Sequence, residues 1–347
     1  MKIPLDMKAL LSAAFDIEKA KKTPVSVNVM IDETVGPDFQ AFLRSGFVGQ
    51  SASSRVMMSY FPTQDLDVDI KADITVIVAG LSEEIGELAA LFRSRGNAVL
   101  VIAENIDLVQ ANAQKAGFPI PEKDLMGLRG PVSNEEAQKA LADHIGMWIV
   151  ETNRDKSLAF SLAFPFVRRP LAQNVVLRTS IQNAGIGALV FVPGADMPVM
   201  TLNQAKMVLQ IAAAYGFSLE VDRVKELAGV FAGAVVFRGI SRQAVALIPA
   251  LGWVIKGAMG YTGTMAIGKA ALEYFEQGGN MAGLAGIVNS TREALLKAGT
   301  RISNSSNFDI AKEVILPQVK KVTGVAKTKV VPVASETIKK AISAAKR

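Results

Sequence analysis

Short apolar runs alternate with amphipathic segments in the first part of the chain, whereas the later part is helical in pattern throughout. The early runs are rich in β-branched and aliphatic residues and are bounded by turn residues, which is typical of buried parallel strands. This strand pattern ceases near Thr152. The predicted strands are Val25–Ile31, Arg55–Phe61, Ile74–Ala79 and Ala98–Ala103.

Helical patterns precede and separate these strands. In the first of them, Leu10, Phe15 and Ile17 lie on or near one face. Strands that alternate with helices at this spacing predict an α/β domain with a doubly wound, largely parallel sheet. The proline-containing stretch 119–131 is interpreted as irregular. The predicted helices are Leu5–Lys21, Pro37–Phe47, Glu83–Arg95 behind a Ser82 cap, Leu108–Lys115, and one from Ser133 or Asn134 towards Val150.

The most hydrophobic part of the chain lies between Ala184 and Phe275. Each of its uncharged runs is shorter than the ~20 residues that span a bilayer. Joined across Lys256, residues 243–268 would be long enough, but that lysine in mid-bilayer would cost about 2.5–3.5 kcal/mol. A re-entrant or interfacial hairpin of short helices fits the charges better, and a tightly packed soluble helical domain is the alternative. The uncharged runs are Leu227–Phe237, Gln243–Ile255 and Gly257–Gly268.

Local signals divide this region into short helices. Thr201 and Gln204 have the spacing of a capping box, which predicts a helix start, and Gly216 suits the left-handed position after its end. A later helix is predicted over Tyr261–Phe275, closed by Gly278. Seven side chains in these segments are candidates for membrane contact: Phe231, Val235, Phe237, Leu247, Ile248, Trp253 and Ile255.

Five motifs stand in the same region: GADMP at 194–198, LNQ at 202–204, AAYG at 213–216, IPALG at 248–252 and TGT at 262–264. On these motifs the region resembles the YcjF-type family of bacterial domains. The resemblance implies association with the cytoplasmic membrane and a position behind a small-GTPase-like domain. It implies no catalytic residue, because the family carries none that could be transferred.

Composition narrows the possible chemistry. The chain has 347 residues, enough for two domains, and no cysteine. Disulfides, thiolate nucleophiles and cysteine-ligated metal sites are therefore excluded. The N-terminal segment contains Asp6, Asp16 and Glu18 and has no continuous apolar core, so no secretory signal is predicted. We expect the protein on the cytoplasmic side of the cell membrane.

The net charge of +6 belongs to the C-terminal tail. From Lys312 onward, nine lysine or arginine residues stand against two glutamates, a balance of +7 that leaves −1 for the rest of the chain. Such a tail suits an anionic membrane surface. No aromatic residues are interleaved to stack on bases, which disfavours nucleic acid, and a solvated tail is the alternative. The surface-charge candidates are Lys320, Lys321, Lys339 and Lys340.

A nucleotide-binding function fails on two motifs. A P-loop needs G-x-x-x-x-G-K-S/T after the first strand, but residues 32–38 read DETVGPD, with three carboxylates and no lysine. The guanine-binding N-K-x-D is replaced by ENID at 104–107. The sequence therefore predicts a degenerate, non-catalytic GTPase-like domain without a cofactor.

Few other residues suggest chemistry. One histidine, His144, lies in a predicted helix, where we expect a partly exposed residue, so a Ser-His-Asp triad has little support. Asp32 and Glu33 follow a strand and could bind a cation or accept a proton, because ligands of α/β sheets gather at that edge. Asp196 lies in an apolar context and could be a buried functional carboxylate. A solvated turn and a turn cap are the structural alternatives for these sites.

These observations predict three regions: a GTPase-like α/β domain (1–152), a glycine-rich helical YcjF-type domain (153–280) and a basic amphipathic or disordered tail (281–347). The leading hypothesis is a non-catalytic, membrane-associated protein that binds anionic lipid and an unidentified protein partner. The alternatives are an unorthodox NTPase that uses the Asp32 region and a soluble homo-oligomeric scaffold. No catalytic, cofactor-binding or metal-binding residue is predicted.

Overall fold

A computed structural model describes residues 6–62, 69, 71–189, 196–225, 227–228, 252–280, 283, 286 and 290. The chain divides into two compact units. We call residues 14–174 and 210–219 the α/β unit, and the described residues within 1–13, 175–209 and 220–280 the helical unit. The boundary that the sequence suggested near Thr152 thus lies inside the α/β unit.

The α/β unit contains a five-stranded parallel sheet in the order β2-β1-β3-β4-β5. Its parallel strands and flanking helices confirm the α/β class. Four strands match the predicted ones to within one residue. The fifth lies in the stretch interpreted as irregular and has only three residues, too few to show the alternation that identifies a strand. The strands are β1 Val25–Asp32, β2 Ser54–Phe61, β3 Ile74–Ala79, β4 Ala98–Ala103 and β5 Leu125–Gly127.

Nine helices are labelled here in chain order: α1 Met7–Lys21, α2 Pro37–Gly46, α3 Ile85–Ser94, α4 Ile106–Lys115, α5 Glu135–Thr152, α6 Ser157–Ala163, α7 Arg168–Leu189, α8 Asp196–Ala214 and α9 Gly252–Glu276. Short 3-10 turns occur at Glu122–Asp124, Arg154–Lys156 and Pro165–Val167. In the described part of the chain, no helix combines the length and hydrophobicity of a membrane-spanning segment.

The central strands β1, β3 and β4 are buried on both faces of the sheet. On one face, Met30, Ile77 and Val101 pack in a single cluster with apolar residues of α3 and α4. Their neighbours in the strands point to the opposite face, and Val76 and Leu100 there are also fully buried. Burial on both faces explains why the strands read as continuous apolar runs rather than alternating ones.

Two predicted helix starts differ from the structure. Ser82 does not cap α3, which begins at Ile85, because its hydroxyl donates to another side chain described below. Thr201 lies inside α8, which begins at Asp196, and Gln204 donates to the Thr264 hydroxyl. Tertiary contacts therefore replace both local caps. The end at Gly216 is confirmed, with a positive φ of 90°.

In α1, the predicted apolar face is only partly correct. Leu10 and Ile17 are buried, whereas Phe15 is 72% exposed. Phe15 lies two residues from Ile17, a spacing of about 200° around a helix, so the two side chains leave on opposite sides.

Buried polar side chains link three helices of the helical unit. Asn183 of α7 donates to the carbonyl of Met200 in α8 (3.1 Å) and to the hydroxyl of Thr264 in α9 (2.9 Å). Gln204 also donates to Thr264, at 2.9 Å, and Asn203 donates to the side-chain oxygen of Asn183. These contacts fix the relative positions of the helices, because each polar group would lose a buried partner if a helix shifted.

Glycines allow the same helices to approach closely. A Cβ at Gly260 would lie 2.5 Å from the carbonyl oxygen of Asn183, and one at Gly268 would meet the side chains of Val176 and Met207. Along α9 the contacts advance from Asn183 back to Val176, but from Met200 on to Met207. Helix α9 therefore runs antiparallel to α7 and parallel to α8.

We predict opposite effects of alanine at two glycines of α9. Gly260→Ala places a methyl group against a backbone oxygen, whereas at Gly263 the methyl group meets nothing within 4 Å. Both variants gain helix propensity, but only Gly260→Ala suffers overpacking of roughly 1–3 kcal/mol. Thermal unfolding should therefore show a lower melting temperature for Gly260→Ala than for Gly263→Ala. Equal melting temperatures would contradict the close α7–α9 contact.

Candidate functional site

The strand order reverses between β1 and β3, so the carboxyl ends of these two strands form the candidate site. These strands are neighbours in the sheet, and the chain leaves β1 first for β2 and later for the opposite side of β1. In open parallel sheets, the crevice at such a reversal is where ligands bind. Asp32 is the last residue of β1, and Gly80 follows the last residue of β3.

The carboxylate of Asp32 joins the two loops that leave these strands. Its side chain is fully buried. Oδ1 accepts hydrogen bonds from the Thr34 amide (3.0 Å), the Thr34 hydroxyl (2.8 Å) and the Ser82 hydroxyl (2.9 Å). Oδ2 accepts from the amides of Gly80 (3.0 Å) and Ser82 (3.1 Å). We call these four residues the Asp32 cluster; both carboxylate oxygens in it are engaged.

The hydrogen bonds decide the charge of Asp32. Burial is the largest single effect and on its own would raise the pKa of the carboxyl group. The hydrogen bonds from Thr34 and Ser82 together outweigh burial and hold the pKa below its ordinary value. Asp32 is therefore ionised at neutral pH, and the hydrogen-bond donors of Thr34, Gly80 and Ser82 stabilise its charge.

Close backbone contact surrounds the Asp32 cluster. The hydroxyl of Thr34 also accepts from the Leu81 amide at 2.7 Å. A Cβ at Gly80 would lie 2.9 Å from the Val35 nitrogen, so a larger residue would push the two loops apart. A third loop is attached in the same way, because the Gly36 amide donates to the carboxylate of Glu104, which follows β4.

This arrangement uses the local amides for internal anions. In phosphate-binding loops, backbone amides at the end of the first strand point at the ligand. Here the amides of Thr34 and Gly36 point at Asp32 and Glu104. Glu33 and Glu104 are exposed at the same edge and place two carboxylates there. These hydrogen bonds hold the loops together. They also occupy the amides of Thr34 and Gly36, which are therefore not free to donate to a phosphate.

The structure treats the predicted polar residues differently. Asp32 is buried and fully engaged, whereas Glu33 is exposed beside it. His144 lies exposed on α5, as expected. Asp196 is the first residue of α8, and its side chain lies outside the described residues. Within the described residues, no three acidic or histidine side chains are grouped so that they could hold a metal ion.

The side chains of the membrane-contact and surface-charge candidates lie outside the described residues. Trp253 and Ile255 belong to α9, but nothing is described of their side chains. The remaining membrane-contact candidates and the basic tail lie beyond the described residues altogether: Phe231, Val235, Phe237, Leu247, Ile248, Lys320, Lys321, Lys339 and Lys340.

Sequence reasoning missed three members of the Asp32 cluster. The sequence gives Thr34 no role beyond its place in the segment 32–38, which lacks the P-loop pattern, and it gives Gly80 none. It predicts Ser82 as a helix cap. A signal for them existed in part. Asp followed two residues later by Thr is a spacing at which an aspartate bonds the backbone of its own turn. The bond to Ser82 crosses 50 residues and leaves no such trace.

We predict that Asp32→Asn destabilises the α/β unit strongly at neutral pH. The asparagine side chain keeps one acceptor oxygen and places an amide donor at the other position, so donors such as the buried Gly80 amide lose their partner, at a cost of at least about 2 kcal/mol. Because folding lowers the pKa of Asp32, its contribution to stability is complete above the unfolded pKa and is lost as the pH falls through the folded pKa. The difference from wild type should therefore stay constant above about pH 5 and shrink below about pH 4.

Urea denaturation at a series of pH values measures this difference, with Glu33→Gln as the matched control. That neighbouring carboxylate is exposed, and its loss should change the free energy of unfolding by less than about 0.5 kcal/mol. Equal effects of the two substitutions at pH 7 would show that the Asp32 cluster does not hold the loops.

No protein-family model matches the chain, and no curated protein or solved structure shows significant similarity to it. The resemblance to the YcjF-type family therefore rests on the five quoted motifs alone.

Proposed function

We propose that this protein is a non-catalytic, membrane-associated protein of the cytoplasmic side. In this proposal the α/β unit is a degenerate GTPase-like domain that serves as an interaction module for another protein. The helical unit and the basic tail hold the chain at an anionic bilayer. The YcjF-type resemblance agrees with this assignment.

The observation that carries the non-catalytic part is the engagement of Asp32. Its carboxylate accepts five hydrogen bonds at the edge where a phosphate-binding loop would need its amides free. A bound polyphosphate would have to displace a buried anion from these donors. It would also have to approach Glu33 and Glu104 in a field of like charge.

The interaction role follows from the same edge. Leu81 is 63% exposed beside the Asp32 cluster, and Ile106 is also exposed at the start of α4. The Asp32 cluster fixes the loop that carries Leu81, because the Leu81 amide donates to Thr34. A rigid loop that presents an apolar side chain is better suited to binding a protein than to closing over a substrate.

The membrane part is supported by charge and by segment length. The tail carries a balance of +7 over its last 36 residues, from Lys312 to Arg347. Two apolar runs, Leu227–Phe237 and Gln243–Ile255, are each too short to span a bilayer alone, and their charged ends suit an interfacial hairpin. The third run, Gly257–Gly268, lies in α9 and packs against α7 and α8. The exposed leucine and isoleucine of α7, Leu177 and Ile181, lie one helical turn apart on one face.

Vesicle flotation tests the membrane part. We expect the full chain to float with phosphatidylglycerol vesicles and to remain at the bottom with phosphatidylcholine vesicles. Glutamine at Lys320, Lys321, Lys339 and Lys340 should lower the partition coefficient at least about tenfold, because each basic residue near an anionic surface contributes ~1 kcal/mol. The matched control places glutamine at four exposed lysines of the α/β unit: Lys19, Lys115, Lys123 and Lys139.

Equal losses in the two quadruple variants would contradict a membrane role of the tail. Recovery of the full chain as a soluble, monodisperse protein that ignores both kinds of vesicle would overturn membrane association itself.

Calorimetry tests the non-catalytic part. Titration of the purified full chain with GTP or ATP in the presence of Mg²⁺ should give no binding heat. A saturable signal that Asp32→Asn abolishes without unfolding the chain would favour the unorthodox NTPase instead. Circular dichroism of the same sample separates loss of binding from loss of fold.

A further inference from the structure

Strand β2 is the outermost strand on one side of the described sheet. It pairs with β1 alone, in an uninterrupted register from Val25 opposite Ser54 to Asp32 opposite Phe61. Its side chains are mostly half-exposed, and Met58 is 38% exposed, whereas those of β1 are almost all buried. The strand therefore has one satisfied side and one open side among the described residues.

The hydrogen bonds at its two ends show which residues face outward. The Val25 amide donates to the carbonyl of Ser53, and the Glu33 amide donates to that of Phe61. In a parallel pair, alternate residues direct both backbone groups to the same neighbour. Odd-numbered residues of β2 therefore face β1, and Ser54, Val56, Met58 and Tyr60 face outward. Within the described residues, no backbone partner engages the outward groups of the last three.

The edge strand β2 has few of the features that prevent edge strands from pairing with another chain. Natural edges are short, bulged, or interrupted by proline or lysine. Strand β2 has eight residues, and its register with β1 contains no bulge. Its one charged residue, Arg55, is 3.6 Å from Asp69 of the same chain. The open side is therefore a regular ladder about 26 Å long at ~3.3 Å per residue.

We propose that this edge pairs with the β2 strand of a second copy of the chain, antiparallel, about a two-fold axis through Met57. The axis lies at Met57 because the four outward-facing residues are centred there. Val56 then exchanges backbone hydrogen bonds with the partner's Met58, and Tyr60 donates to the partner's Ser54. The two sheets join into one of ten strands, within the usual size of open sheets.

The strand is complementary to its own copy. On one face Met57 meets its own counterpart and Arg55 meets the partner's Ser59, while on the other Val56 meets the partner's Met58. No like charges oppose one another in this register. A two-fold contact uses the same patch twice, so a symmetric set of donors and acceptors is what it requires. The inference does not rest on the proposed membrane role.

Cysteine cross-linking tests the pairing in a chain that has no cysteine of its own. Residues opposite each other without hydrogen bonds in an antiparallel pair have Cα atoms about 4.5 Å apart, within the range of a disulfide. Under mild copper–phenanthroline oxidation, we expect Met57→Cys to give mostly covalent dimer on a non-reducing gel. The control Leu91→Cys, at an exposed leucine of α3, should remain mostly monomer.

A second substitution tests the backbone pairing. Met58→Pro removes an outward amide and leaves the ladder with β1 intact, so Met57→Cys combined with Met58→Pro should lose the cross-link. If proline prevents folding, Met57→Lys places two like charges at the axis and should turn dimer into monomer in light scattering. Cross-linking of Met57→Cys no greater than that of Leu91→Cys, or unchanged by Met58→Pro in a folded chain, would overturn the proposal.

Discussion

The buried carboxylate of Asp32 organises the carboxyl edge of the sheet. A charge buried without a counter-ion is costly, and hydrogen bonds from the loops after β1 and β3 are what make it tolerable here. These loops cannot separate without leaving the anion unpaired. The same loops carry the segment before α3 and the exposed Leu81, whose amide donates to Thr34. Ligands often bind at this edge in parallel sheets, and here the amides of Thr34, Gly80 and Ser82 donate to a carboxylate of the chain itself.

The helical unit solves a related problem with neutral groups. Asn183, Gln204 and Thr264 are buried among apolar helices, and each bonds at least one of the others. Apolar packing alone would allow α9 to slide along α7, because alanine, glycine and valine offer similar surfaces at many offsets. The amide and hydroxyl groups accept one offset only, since any other would leave buried polar groups unpaired.

The Asp32 cluster and the outer side of β2 differ in whether their polar groups have partners among the described residues. Where the chain has satisfied its polar groups internally, at the Asp32 cluster, ligand chemistry is disfavoured and a rigid surface remains. On the outer side of β2, backbone groups have no backbone partner among the described residues, and the proposed pairing with a second copy would supply one. In a phosphate-binding loop the backbone amides donate to the ligand, whereas here the amides of Thr34 and Gly36 donate to the side chains of Asp32 and Glu104.

The sequence alone determined the elements of the α/β unit and what they lack. Apolar runs that must be buried on both faces gave four strands, and a missing lysine and glycine pattern removed the P-loop, because both are local properties. Only the tertiary structure decided that β2 is an edge, that Ser82 serves Asp32 rather than α3, and that Thr201 lies inside a helix. These outcomes depend on groups that are far apart in the sequence, such as Asp32 and Ser82, and the energies of such long-range bonds outweigh local capping preferences of about 1 kcal/mol.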